Sequence, residues 1–192
     1  TLLAFTSDRL VIKNLIGYDF LGIYSIVLLF PTFLFVIPNA ISQIFAPNIT
    51  INARNPEIGR LLFSYCLFIS VLLCISVLVA YILVPYVVQI FFSKYQYLIS
   101  EIRLALGIVL PYGISSVLTY YFLSIDRRWR ILFINIFLYI IYMILLILAT
   151  YIDSSLEYFV LLKISYGVLL AGGLLVQFFA GVALDKKANL LV

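Results

Sequence analysis

Long apolar runs broken by short polar punctuation make up the chain from end to end. A first segment, Thr1 to Ile16, is apolar except for Asp8, Arg9 and Lys13, and it stops at the turn signal Gly17-Tyr18-Asp19. Further runs cover Phe20 to Ala46, Leu61 to Phe92, Ile102 to Ile125, Ile131 to Ile152 and Phe159 to Leu184. Each of these exceeds the ~18 residues that cross a hydrocarbon core of ~30 Å. The pattern predicts an all-α membrane protein: a six-helix transmembrane bundle whose first helix is truncated. Pro31 and Pro38 interrupt the second run, as membrane helices tolerate when neighbouring groups re-satisfy the freed carbonyls. Leu61 to Phe92 is longer than a perpendicular crossing needs, so it is expected to tilt or to extend beyond the bilayer past Pro85. Residues 1–192 read as a single transmembrane domain. Without an initiator Met or the basic start of a signal peptide, the chain reads as a fragment of a longer protein.

Composition agrees with this picture and narrows it. Hydrophobic residues are 66% of the chain and charged residues 10%, a balance that leaves no room for a soluble catalytic domain. Histidine is absent, which removes Ser-His-Asp and Cys-His constellations and the usual zinc sites. Neither enzyme activity nor a cofactor is expected. Cys66 and Cys74 fall eight residues apart in one run, ~12 Å along a helix, too far for a disulfide; they read as small buried residues. The net charge of +4 does not signal nucleic acid, because the basic residues stand in small groups between apolar runs, without a patch of stacking aromatics.

Topology accounts for those basic groups. Arg54 and Arg60, then Arg127, Arg128 and Arg130, then Lys186 and Lys187 all fall on one side of a six-crossing chain. The opposite loops hold Lys94 and little else that is basic. By the positive-inside rule both ends are expected in the cytoplasm, with Trp129, Tyr86, Tyr95 and Tyr158 at the interfaces.

Polar residues within the runs point to the chemistry. At ~100° per residue, Ser25, Thr32, Asn39 and Gln43 make one narrow stripe, which serves either helix-to-helix hydrogen bonding or the wall of a hydrated pathway. Asp8 sits ~12 Å into the membrane, and an Asp, Lys or Arg at a helix centre costs ~2.5–3.5 kcal/mol, so Asp8, Arg9 and Lys13 must face protein or water. Arg9 and Lys13 share a face; Asp8 points ~100° away. Two cations on one inner face suit an anionic substrate such as a pyrophosphate. Lys163, near the start of its run, is expected to snorkel to the outer surface, and Arg103 to lie at the outer interface.

The order Asp8-Arg9-Leu10-Val11-Ile12, Gly17, Leu21-Gly22-Ile23-Tyr24-Ser25, Ile41-Ser42-Gln43 and Ala46-Pro47 resembles the seventh and eighth helices of polysaccharide flippases. These are the Wzx-type O-antigen and capsule transporters of the multidrug/oligosaccharidyl-lipid/polysaccharide exporter superfamily. The specific motif is confined to the first quarter of the chain, and the rest matches in hydropathy and spacing. The resemblance implies one lobe of a two-lobe MATE-like transporter fold, working by alternating access around a basic cavity in a bacterial plasma (inner) membrane.

The expected activity is translocation of undecaprenyl-pyrophosphate-linked oligosaccharide units for surface polysaccharide biosynthesis. Arg9, Lys13, Asn39 and Gln43 are the expected substrate-binding residues, and the resemblance gives Asp8 a role in ion coupling. Expected partners are the lipid-linked oligosaccharide, membrane lipids and polysaccharide assembly proteins. A multidrug exporter on the same fold is the first alternative, although it calls for acidic intramembrane residues. A membrane glycan polymerase or ligase comes last, because the outer loops are short.

Overall fold

A computed structural model describes residues 2–52, 55, 57–125, 128–152 and 155–188, and among them there is no strand. The helices are α1 (Leu2–Leu15), α2 (Tyr18–Leu34), α3 (Val36–Asn52), α4 (Ile58–Phe91), α5 (Ile99–Ala105), α6 (Val109–Ser124), α7 (Arg128–Ile152) and α8 (Leu156–Ala188). Two 3₁₀ segments, Ser93–Leu98 and Leu106–Ile108, join α4 to α5 and α5 to α6. Among the described residues, five helical stretches are long and apolar enough to cross a membrane: Tyr18–Asn52, Ile58–Phe91, Ser93–Ser124, Ile131–Ile152 and Leu156–Phe179. The chain is therefore an all-α, multi-pass membrane protein. The first segment forms a helix of 14 residues, ~21 Å, shorter than the other five.

Prolines shape the spans. Pro38 has no N–H and its ring crowds the carbonyl of Leu34, so the second run breaks at Phe35 into α2 and α3. Pro111 likewise denies a donor to Gly107, and the chain tightens to 3₁₀ geometry over Leu106–Ile108. Gly17 takes φ 128°, a left-handed conformation that turns α1 into α2.

The most hydrophobic stretch of the Ser93–Ser124 span is 61% buried against 17% in Ile58–Phe91 and in Ile131–Ile152, so α5 and α6 form the axis of the bundle. α6 packs against α8, α3 and α4, while α1 packs against α2 and α7. Small residues allow the closest approaches: a Cβ built on Gly167 of α8 would lie 2.8 Å from the Tyr112 ring of α6, and one on Gly113 would overlap Leu73 of α4. α3 and α6 run parallel in steady register, with Pro38 beside Gly113, Ser42 bonded to Ser116 at 2.7 Å and Thr50 to Ser124 at 3.0 Å. This is the small-residue packing expected where lipid supplies no hydrophobic drive between helices.

The outside of the bundle is apolar. α4 exposes Phe63, Leu67, Val71, Leu78 and Ile82, a surface suited to hydrocarbon and not to water. Cys66 and Cys74 are free thiols, as their spacing predicts, but neither is buried: Cys66 is half-buried and Cys74 is exposed, since α4 turns much of its surface outward.

Candidate functional site

One carboxylate lies deep in the bundle. Asp8 is fully buried, and its Oδ2 accepts a hydrogen bond from the Tyr24 hydroxyl at 2.8 Å and another from the Lys163 ammonium. Its Oδ1 accepts from the backbone N–H of Arg9 at 2.8 Å. Three helices, α1, α2 and α8, thus meet on one side chain. The Lys163 ammonium also stands 5.8 Å from the centroid of the Tyr24 ring.

The depths of the two charges explain the pairing. Asp8 precedes Gly17 by nine residues, ~13 Å of helix, and Lys163 follows Leu156 by seven, ~10 Å. When the Gly17 turn and the start of α8 lie at the same end of the bundle, the ammonium and the carboxylate come level. Lys163 therefore does not snorkel: a partner at its own depth inside the bundle replaces the interface, and 1% of the side chain remains exposed. Snorkelling was the wrong expectation because a single helix carries no record of which helix it packs against.

Aromatic rings enclose the pair. Phe159 packs edge-on against Phe20 and Tyr24, with ring centroids 5.5 and 6.4 Å apart. Tyr142 of α7 is buried within electrostatic reach of Asp8 and Tyr24, and its ring meets Tyr166 at 4.9 Å. Tyr166 in turn lies 6.2 Å from Tyr112 of α6. The result is a buried, tyrosine-rich shell in which a charge pair costs several kcal/mol less than either ion alone.

The other residues singled out in the sequence lie elsewhere. Arg9 is exposed, and Lys13 is half-buried with its ammonium 5.2 Å from the centroid of the Tyr18 ring. No carboxylate pairs with either among the described residues. Asn39 and Gln43 are exposed on α3, and no hydrogen bond joins them to Arg9 or Lys13 among the described residues. The break at Phe35 divides the stripe, leaving Ser25 and Thr32 on α2; Thr32 donates to the Leu28 carbonyl of its own helix at 2.7 Å. Hydrogen bonds from α3 to a neighbouring helix are made by Ser42, beside the stripe, and by Thr50, although Gln43, next to Ser42 in sequence, was the more conspicuous polar group. Arg54 and Arg127, part of the charge asymmetry between loops, lie outside the described residues.

Among the clefts on the described surface, two lie between α3 and α4, away from Asp8. One is lined by polar groups about Asn55 and Arg60, the other by apolar ones about Phe45 and Phe68. Comparison with known proteins returned no match: no protein family, no curated protein and no solved structure matches the chain significantly.

Proposed function

We propose that the chain is one lobe of a flippase that carries a polyprenyl-pyrophosphate-linked oligosaccharide across a bacterial plasma membrane, with both ends of this segment in the cytoplasm. The observation that carries the proposal is the charge balance of α1. The charge of Asp8 is consumed by Lys163, which leaves Arg9 and Lys13 with no internal counter-charge among the described residues. An exposed guanidinium on a helix otherwise built for hydrocarbon needs an anion or water beside it, and a lipid pyrophosphate is an anion that reaches this depth. Asn39 and Gln43, exposed on an apolar span, supply amide donors and acceptors for a hydrated or sugar-bearing path.

The same balance disfavours an exporter of cationic drugs. Among side chains that are described, every carboxylate other than Asp8 stands at a helix start: Asp19, Glu57, Glu101 and Glu157. Asp8 is the residue we assign to coupling, through exchange of its ammonium partner for a proton or cation as the lobes rock. The test is complementation of a flippase-deficient strain with the full-length protein. Surface glycan is expected to fall in the order wild type, Arg9→Lys, Arg9→Ala, because lysine keeps the charge and loses the forked donor geometry. Full surface glycan from an Arg9→Ala protein that inserts normally overturns the proposal.

A further inference from the structure

The two clefts between α3 and α4 adjoin at Ser64, which lines both. The first, at the membrane-boundary end where α3 stops and α4 starts, has a volume of ≈ 350 Å³ and is walled by Asn52, Asn55, Glu57, Arg60 and Ser64. The second, ≈ 510 Å³, runs one to two turns deeper along the same helices, between Ile41, Ile44, Phe45, Tyr65 and Phe68. Its floor is aromatic: Phe45 stacks on Tyr65 with centroids 4.0 Å apart and planes 9° apart, and Phe68 meets Phe45 edge-on at 5.9 Å. A polar, charged basin thus opens into an aromatic trough that leads toward the middle of the span.

The charges in the basin define its ligand further. Glu57 and Arg60 are three residues apart at the start of α4, both exposed, and no ion pair joins them among the described residues. Asn55 Oδ1 accepts the backbone N–H of Glu57 at 3.1 Å, which ties Asn55 to the start of α4 and leaves the Asn55 amide N–H groups to donate, and Glu57 lines the same cleft. Among the described residues the basin holds one cation and one carboxylate, spaced as i and i+3 neighbours, which complement a head that carries a phosphate and an ammonium a two-carbon link apart. A head with a phosphate alone would meet Glu57 as a like charge.

We propose that this groove is a binding site for one zwitterionic phospholipid of the phosphoethanolamine class. Arg60 and the Asn55 amide hold the phosphate, Glu57 accepts from the primary ammonium, and an acyl chain lies in the trough against Phe45, Tyr65 and Phe68. The site is separate from Arg9 and the buried pair, and it stands whether or not the chain moves a glycan.

Native mass spectrometry of the full-length protein, delipidated and titrated with single lipids, tests the proposal. Phosphatidylethanolamine is expected to be retained as one bound copy about tenfold more tightly than phosphatidylglycerol or phosphatidylcholine, since the former lacks the ammonium and the latter cannot donate from it. Glu57→Gln should erase the preference over phosphatidylglycerol, Arg60→Gln should weaken all three, and Ser64→Trp should block the junction and release the lipid. Lys94→Gln, at the other end of α4, should change nothing. Equal retention of the three lipids by wild type, or an unchanged preference in Glu57→Gln, overturns the proposal. So does a benzophenone side chain at Ile44 that crosslinks in proteoliposomes to protein instead of lipid.

Discussion

The Nε–H of Arg103 donates to the backbone carbonyl of Tyr81 at 3.2 Å, and the guanidinium lies 4.3 Å from the centroid of the same tyrosine's ring. Tyr81 is four residues before Pro85, so its carbonyl is the one α4 leaves without a helical donor. In a membrane that orphan acceptor is costly, and a cation from the neighbouring α5 satisfies it. Arg103, expected at the outer interface, has a structural role in the fold: it repairs a proline defect in α4.

A double-mutant cycle checks this repair. Arg103→Ala is expected to cost about 1 kcal/mol in thermal or denaturant unfolding of the purified protein, the net worth of such a bond at a partly exposed position. In a Pro85→Ala background, where residue 85 again donates to Tyr81, the same change should cost close to nothing. An equal cost in both backgrounds would mean that Arg103 acts through its stacking alone.

The buried pair yields a sharper expectation. Removing one partner strands the other charge, so Lys163→Met and Asp8→Asn should each destabilise by about 3–5 kcal/mol, with much lower yield of folded protein. The double variant Asp8→Asn with Lys163→Met leaves no stranded ion and should regain most of that loss. Monodispersity and melting temperature report the difference. Were the double variant as damaged as the sum of the singles, the two residues would not be coupled.

How far the sequence discloses this structure depends on what each residue must satisfy. Periodicity and run length mark the helices because lipid allows few other backbones, and Asp8 announces that it needs an interior partner. Its partner is 155 residues away, and no local signal names it; only the equal depths of Asp8 and Lys163 in their helices hint at the match. Pro85 likewise announces a free carbonyl at Tyr81 but not the arginine that answers it. The break at Phe35 was visible as Pro38, yet its consequence, the splitting of the polar stripe, needs coordinates. The charges of Arg9 and Lys13 are legible as a demand for an anion, while the groove between α3 and α4 arises from two helices and from neither alone.

Close approach at Gly167 gives a steric prediction. Alanine there places a methyl group 2.8 Å from Tyr112 and 3.1 Å from Pro111, so α6 and α8 must part or the ring must turn. A loss of about 1–3 kcal/mol is expected, relieved when Tyr112 is shortened to leucine in the same molecule. Gly172→Ala on the same helix meets nothing within 4 Å and should be neutral or slightly stabilising. Similar melting temperatures for the Gly167→Ala and Gly172→Ala proteins would contradict the packing at Tyr112.

The pairing of Asp8 with Lys163 also constrains topology, independently of the loop charges. Since the two meet ~10–13 Å from the Gly17 turn and from the start of α8, Asp19 and Ser155 must lie on one side of the membrane. Asn55, at the far end of α3, must lie on the other. The loop arginines add a direction: the Asn55 side should be cytoplasmic. In a background lacking Cys66 and Cys74, single cysteines at Asp19 and Ser155 should react with an impermeant maleimide added outside intact cells, and one at Asn55 should react only after permeabilisation. If Asp19 and Ser155 agree but label from within, the fold is right and the orientation inverted. Should they label from opposite sides, α1 and α8 cannot share an ion pair in the membrane, and the candidate site fails with it.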